Sequence, residues 1–384
     1  MIYLDYAATS PVDPAVADVM AACLTRDGEF ANPASAHASG QAARRVIEKA
    51  RAEIAALVGV PAERLVFTSG ATEANNIALA GLFRQAEPKG HFVTSRIEHR
   101  SVLDTAHALE REGVAVSLVD CDEAGIVAPE RVAAALRADT RLVSIMQVNN
   151  EVGSIQDIEA IARLCHEAGV PLHVDAAQGA GKVPLDIAGF ELDLCSLTAH
   201  KLNGPKGVGA LYIREGLELA PFLYGGDRAL GVRAGTMPTH QIAGFGLAFA
   251  LAAGSEEPQR LASLRDRLWQ GLAFIEGARR NGDPARSAPH ILSVSFPGVE
   301  GESLRAALAD IAVSAGSACT SRSAEPSHVL RSLGLSDQLA ESTLRFGVGR
   351  FTSAAEIDQA VARISASYLA LREVSSGAPD WCSG

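Results

Sequence analysis

Short, mainly apolar runs recur along the first two thirds of the chain, at 64–68, 91–95, 114–119, 142–148, 171–175, 192–199 and 207–213. Each is short and bounded by Gly, Pro or polar residues, so each predicts a buried strand. Between them the apolar spacing shifts to the helical period at 13–25, 35–58, 101–112, 129–138 and 158–168. The 35–58 stretch stops at Gly59 before Pro61, and a further helix starts at Ala71 after a Gly70 turn. Strand and helix repeating in this order predict an α/β chain whose mostly parallel sheet is covered on both faces.

Downstream, a glycine-rich segment at 223–238 leads into an apolar helix at 239–253, and Gly254, Ser255 and Pro258 mark a boundary. A helix at 258–278, a strand at 290–296 and a helix at 301–309 then predict a smaller α/β domain. The expected division is a large domain over 14–254 and a small one from 1–13 and 255–384.

The polar residues at the strand ends carry the candidate chemistry. Asp175 closes one apolar run, and His200 and Lys201 close the next. In open α/β sheets ligands bind outside the carboxyl ends of the strands, so an acid and an amine delivered there face one crevice. A lysine amine forms a Schiff base with an aldehyde, and a carboxylate keeps a pyridine nitrogen protonated, which together suit a pyridoxal phosphate (PLP) site. The spacing equally fits a helix-capping Asp175 and a solvated Lys201. His99, Asn149, Asn150, Glu151 and Gln178 also fall where strands end. Ser69, Gly70, Ala71 and Thr72 join a strand to a helix start, which makes either an anion cradle or an ordinary capped helix. Arg345, among apolar neighbours in STLRFGVGRF, either grips a carboxylate in its fork or faces solvent.

Composition narrows the classes. At 384 residues with 48% hydrophobic and 21% charged residues, the chain is long enough for a large core. A net charge of -11 leaves no basic surplus for phosphates, which argues against direct nucleic-acid binding. Arg44–Arg45 and Arg279–Arg280 are expected on solvated helix faces. MIYLDYAATS has Asp5 and no basic n-region, so no signal peptide is read there, and the apolar stretch 242–253 is too short to span a membrane. The 6 cysteines are scattered with no CxxC, so a metal site or disulfide framework is not expected and a reducing cytoplasm is. Cys165 and Cys195 read as small core hydrophobes. Cys319 is different: it lies in SAGSACTSRSAEPS, residues 314–327, a run of small side chains that reads as a mobile surface loop. There a thiol is available as a nucleophile if its pKa is lowered, or is an incidental surface cysteine.

The order DYAATSPVD, NPAS, SGATEANN, EHRSVL, VNNEVGSIQDI, HVDAAQ, TAHKLNGPKGVGALY, RAGTMP, the small-residue loop around Cys319 and LRFGVGRF resembles the cysteine desulfurases, the IscS/NifS branch of the class-V aminotransferase family, over nearly the whole chain. The resemblance implies PLP fold type I, the aspartate aminotransferase-like fold, with a mainly parallel seven-stranded sheet in the large domain and a smaller α/β C-terminal domain. It implies a homodimer that takes sulfur from L-cysteine, leaves L-alanine and passes the sulfur to a protein acceptor such as an iron–sulfur scaffold or sulfur carrier. Lys201, which directly follows a histidine as Lys206 does not, resembles the Schiff-base lysine. Asp175 resembles the pyridine-nitrogen partner, Gln178 the donor to the ring hydroxyl, and His99 the histidine stacked on the ring, which also moves protons. Ala71, Thr72, Thr198 and His200 match phosphate-binding positions, and Thr236 is expected to reach the phosphate from the partner subunit. Asn32, Asn150 and Arg345 resemble groups that hold the substrate, with Asn150 also beside the cofactor. Cys319 matches the persulfide-forming cysteine, which would contact an iron–sulfur cluster on a partner transiently. The sequence departs from the family's pattern at Gly225–Gly226–Asp227–Arg228–Ala229. The competing readings are another fold type I PLP enzyme, an aminotransferase or carbon–sulfur lyase, and a non-catalytic relative; Cys319 discriminates, since those reactions need no such thiol.

Overall fold

The computed structural model describes residues 1–85, 89–226, 228–315 and 326–376. The chain begins with β1 (Ile2–Tyr3), α1 (Pro14–Ala22) and the long α2 (Ala38–Val58). It continues through β2 (Leu65–Thr68), α3 (Ala71–Phe83), β3 (His91–Ser95), α4 (Arg100–Arg111), β4 (Ala115–Val119), α5 (Pro129–Ala135), β5 (Thr140–Met146), α6 (Ile158–Glu167), β6 (Leu172–Asp175), β7 (Leu194–Thr198) and β8 (Gly209–Ile213). A hairpin of β9 (Arg228–Ala229) and β10 (Arg233–Ala234) precedes α7 (Thr239–Ala252) and α8 (Glu257–Leu272). The remainder is β11 (Arg279–Asn281), β12 (Ile291–Ser295), α9 (Gly301–Ala307), β13 (Ile311–Ala312), β14 (Ser314–Ala315), α10 (His328–Ser332), α11 (Asp337–Glu341), β15 (Thr343–Gly347) and α12 (Ala354–Ser376).

The larger sheet has seven strands in the order β2-β8-β7-β6-β5-β3-β4. All its pairings are parallel except those of β8, which runs antiparallel to both β2 and β7. Alternate residues of each strand feed opposite faces, as the pleat requires. Phe67, Val93, Val143 and Cys195 pack on one side under α2 and α7, while Val66, Phe92, Leu142 and Leu194 pack on the other under α3 and α4. Helix α2 presents Ala43, Ile47, Ala50, Ile54 and Val58 as its buried stripe and ends at Gly59, whose left-handed φ of 70° lets its N–H close on Ala55. A Cβ on Gly246 would lie 2.5 Å from the Ala50 Cα, so this glycine sets how closely α7 packs on α2. The expected buried cysteines are there: burial pushes the Cys165 thiol up to about 12 and raises that of Cys195.

A second, antiparallel sheet has the order β11-β12-β15-β14. Its core gathers Leu292, Val294, Phe296, Leu344 and Phe346 against Leu264 and Leu268 of α8 and Ile357 and Ile364 of α12. Leu4 is part of the same core, and β1 pairs in parallel with β13. Two expectations are corrected here. The 258–278 helix stops at Leu272, and Arg279–Arg280 lie not on a solvated helix face but in edge strand β11. The strand is held by pairing with β12 and by Asn281, whose amide donates to Ser293 and Ser295 at 3.0 Å each. The glycine-rich 223–238 segment contains the β9–β10 hairpin, whose Arg233 bonds Glu73 of α3 at 3.1 Å. No helix of the described residues is long and apolar enough to cross a membrane.

Candidate active site

Strands β6 and β7 are parallel neighbours, so their carboxyl ends emerge side by side. Asp175 is the last residue of β6, Thr198 ends β7, and His200 and Lys201 follow at once. Because β8 is reversed, its first residue, Gly209, lies in register with both Thr198 and the β2 terminus Thr68. A Cβ on Gly209 would come within 2.7 Å of the Gly70 Cα, so glycine there admits the β2–α3 turn to the same edge. Gly70 itself has a φ of 150°, a backbone that residues with side chains rarely adopt. The outcome is a cleft of about 450 Å³ into which Ala71, Thr72, His99, Asn150, Asp175, Gln178, Thr198, His200 and Lys201 all open. Lys206 opens into it as well.

Each side chain is held by partners the fold supplies. The Asp175 carboxylate is 5% exposed, and it accepts the Asn75 amide at 2.7 Å and the Ala177 N–H at 2.9 Å. No helix follows Asp175, so it is not a helix cap; the oxygen that accepts Ala177 closes a turn instead. The Asn75 amide donates to the Ser101 hydroxyl at 2.8 Å, and that hydroxyl lies 2.8 Å from His99 Nδ1. His99 is the N-cap of α4, its Nδ1 accepting the Ser101 N–H at 3.1 Å, which in the neutral ring leaves the proton on Nε2. Asn75 and Ser101 thus join the acid to the histidine, and neither stands out in the sequence. Gln178 donates to the Ala7 carbonyl at 2.9 Å and accepts from His290 Nε2 at 3.2 Å. Lys201 also donates to the Ala7 carbonyl. Burial, reinforced by Lys201, Lys206 and Lys182, depresses the His200 imidazole to about 3, so it is neutral and its Nδ1 lies 3.2 Å from Thr9 Oγ1.

The opposite end of the cleft suits an anion. At the first turn of α3 the N-cap is Gly70, which offers no side-chain cap. Glu73 instead reaches back to the Ser69 N–H at 2.5 Å, while Ala71 and Thr72 face the cleft. Thr198 Oγ1, buried beside them, has no hydrogen-bond partner among the described residues. A buried carboxylate, an amine, and an unsatisfied hydroxyl beside a helix N-terminus match a cationic ring nitrogen, an aldehyde and a phosphate in turn. The donor set fits PLP.

Not every expected residue is in this cleft. Asn32 and Thr236 line a second cavity of about 670 Å³, with Arg44, Tyr224 and Gly225–Gly226. Arg345 is 2% exposed, so it does not face solvent. It donates to the Asn150 carbonyl at 2.8 Å and pairs with Asp5 at 3.0 Å, and its Nε is buried without a partner among the described residues. Cys319 lies outside the described residues, as does Asp227 of the departing segment.

Two further carboxyls were not singled out as buried by their sequence positions. Burial pushes Glu98, beside His99, up to about 8, although Ser95 and the Met146 N–H bond its Oε1. Burial pushes Glu151, beside Asn150, up to about 7 against the pull of Ser327 and Arg345.

Residues 2–360 match the family described as Aminotransferase class-V. The chain is 51% identical over 380 residues to "Cysteine desulfurase IscS" of Shewanella baltica strain OS223, covering 97% of this chain and 94% of that protein. A solved NifS-like protein superposes with a TM-score of 0.87 at 34% identity, covering 95% of this chain and 98% of that one. The structure described as SspA in complex with cysteine superposes with a TM-score of 0.83 at 35% identity, covering 92% of this chain and 100% of that one. On this cleft and these likenesses, the chain belongs to the class-V aminotransferase family, within its PLP-dependent cysteine desulfurases of the IscS/NifS branch.

Proposed function

We propose that the protein converts L-cysteine to L-alanine and transfers the sulfur to its own Cys319 as a persulfide, for delivery to a protein acceptor such as an iron–sulfur scaffold or sulfur carrier in the cytoplasm. The observation that carries this is the convergence of Asp175, Lys201 and the α3 N-terminus on one cleft. Lys201 would bond the PLP aldehyde, Asp175 its ring nitrogen and Gln178 its ring hydroxyl. Ala71, Thr72, Thr198 and His200 would hold its phosphate. When bound, PLP supplies an electron sink for charge released at the substrate α-carbon.

The remaining work falls to the protein's own groups. Asp175, fixed by Asn75 and Ala177, presents a negative charge whose orientation does not need to change during reaction. Lys201 takes the α-proton, and His99, its Nδ1 occupied by α4, offers Nε2 for proton movement at the ring face. Asn150 and Arg345 orient the substrate carboxylate, and Asn32, which lines the other cavity, would reach substrate only across a dimer interface. The Cys319 thiolate attacks the substrate sulfur: an S–S bond forms, the C–S bond breaks, and its electron pair stays on carbon, which takes a proton to become alanine. Sulfur is oxidised and carbon reduced, with no outside oxidant required.

Asn32 and Thr236 line a cavity apart from the cleft, where Leu223 and Tyr224 leave apolar surface exposed. That supports a homodimer in which Thr236 reaches the partner's phosphate site. The two cores support a large domain over 14–254 and a small one from 1–13 and 255–384, with the exception that Val329, Leu330, Leu333 and Ala340 pack into the larger core. The deciding experiment is mass-spectrometric detection of a persulfide on Cys319 after L-cysteine is added to the PLP-loaded protein. Cys319→Ala should abolish sulfide release under reductant; undiminished release would sink the mechanism.

A further inference from the structure

Gln178 lines the cleft yet is only 3% exposed, and its amide is held by two stretches of chain remote from β6. Its Nε2 donates to the Ala7 carbonyl at 2.9 Å, and its Oε1 lies 3.2 Å from His290 Nε2. The Ala7 carbonyl can only accept, so the nitrogen end of the amide must face it. The oxygen end then faces His290, whose ring must carry its proton on Nε2 to donate. In the neutral ring that leaves Nδ1 as a bare acceptor, and Nδ1 is buried with no partner among the described residues. His290 is 1% exposed, and its burial, reinforced by the positive charges of Lys182, Lys201, Arg265 and Arg345, keeps the ring from taking a second proton.

Both partners of the amide are themselves fixed. His290 stands just before β12, its carbonyl accepting the Val348 N–H at 3.0 Å, and the Ala288 carbonyl two residues earlier accepts Arg265 Nη1 at 2.7 Å. Ala7 is fully buried against Gly347, where a Cβ would come within 2.5 Å of the Ala7 nitrogen. An amide is planar, so a fixed acceptor at its nitrogen and a fixed donor at its oxygen define its plane and the direction of its remaining Nε2–H. Either contact alone would leave the plane free to rotate. The orphaned Nδ1 is a cost that packing does not explain, since an apolar side chain in the same place would avoid it. We propose that His290 is a positioning residue for the cofactor site: through its Nε2–H it fixes the plane of the Gln178 amide and so aims the second amide N–H at the ring hydroxyl of PLP. This rests on the reading of Gln178 as the donor to that hydroxyl. It adds the residue, more than a hundred positions downstream, that keeps the donor aimed.

The test follows the visible band of the PLP-loaded protein as a function of pH, with no substrate present. A donor to the ring hydroxyl stabilises its ionised form, so losing the donor makes that oxygen more basic and moves the titration of the band to higher pH. Gln178→Leu should raise the midpoint by roughly one pH unit, and His290→Leu by about half of that or more. His290→Gln, whose amide nitrogen falls near the place of Nε2, should restore most of the wild-type midpoint. A second readout needs no loss of the side chain: nitrogen NMR of histidine-labelled wild type, with His290 assigned by its disappearance in His290→Gln, should show a neutral ring protonated on Nε2. A ring protonated on Nδ1 overturns the proposal whatever the variants do. So does a His290→Leu midpoint equal to that of wild type while Gln178→Leu is raised, or a His290→Gln midpoint displaced as far as that of His290→Leu, which would make the imidazole's bulk and not its N–H the cause. If Gln178→Leu itself leaves the midpoint unmoved, the reading of Gln178 falls instead, so the two failures are distinguishable.

Discussion

The two cavities that hold the expected site residues are built differently. The cleft at the ends of β6 and β7 is assembled from strand termini whose positions are fixed by the sheet register, and its polar groups are tied to one another through Asn75, Ser101 and Gln178. The second cavity is bordered by α2, by turns and by the β9–β10 hairpin, and its neighbours Leu223 and Tyr224 are 38% and 78% exposed. The first brings its acid, its amine and its helix N-terminus together within one chain. Among the described residues the second offers Asn32 and Thr236 no comparable network, in keeping with the proposed dimer.

The largest effects should come from the cleft. Lys201→Ala should remove the visible absorbance of the PLP-loaded protein and lower kcat by roughly a thousandfold or more, since the covalent tether is lost. Spectrophotometry and sulfide assays check both, and retained absorbance would place the tether elsewhere, with Lys206 the first alternative. Asp175→Ala should lower kcat on the order of a hundredfold or more, because the ring nitrogen loses its fixed counter-charge. Its cofactor affinity, measured by fluorescence titration, should fall as well.

Thr236 tests the second cavity. Thr236→Val should lower activity on the order of tenfold through one lost phosphate hydrogen bond. Mixing and reassociating Lys201→Ala chains with Thr236→Val chains then breaks or sharpens the comparison directly. If Thr236 serves the partner, each mixed dimer contains one intact site, and activity should exceed the average of the two parent variants. Activity equal to that average would show that each chain completes its own site, and the second cavity would have to be explained otherwise.

Much of the first region was legible because its signals are local. Continuous apolar strands flanked by breakers locate β6 and β7, and chain order then places Asp175 and Lys201 at their ends. What was not legible is set by tertiary context. The Arg279–Asn281 edge strand has two charges in three residues and exists through its pairing with β12, not through its own pattern. Asn75 and Asn76 are adjacent on α3, yet only Asn75 is buried against Asp175, while Asn76 bonds its own backbone at Thr72. Glu151 reads as a strand-end polar residue and Glu98 carries no signal of its own in the sequence; only the folded surroundings make them buried acids. Arg345 was readable as a carboxylate grip or a solvated strand residue, and its pairing with Asp5 depends on the N-terminal strand folding against the C-terminal core.

The smallest effect separates the two cavities electrostatically. Glu98 is buried near Asp175 with its carboxyl raised from 4.5 to about 8, burial being the main cause and the Asp175 charge adding to it. Between those values the folded protein keeps a proton that the unfolded chain has released, so stability declines as pH rises through the window. The slope is at most about 1.4 kcal/mol per pH unit; it vanishes below 4.5, where both states are protonated, and again above 8, where both are ionised and the loss is complete. Glu98→Gln should remove that slope with little strain: its carbonyl takes over the bonds from Ser95 and Met146, and its amide occupies the place of Oε2, which has no partner among the described residues. Glu48, on the wall of the second cavity with a side chain 58% exposed, is the matching control. Denaturant midpoints from pH 5 to 9 should therefore fall less steeply for Glu98→Gln than for wild type, while Glu48→Gln follows wild type. Parallel curves for all three proteins would mean that Glu98 is ionised throughout, and that its buried charge is balanced by the groups around His99 rather than avoided.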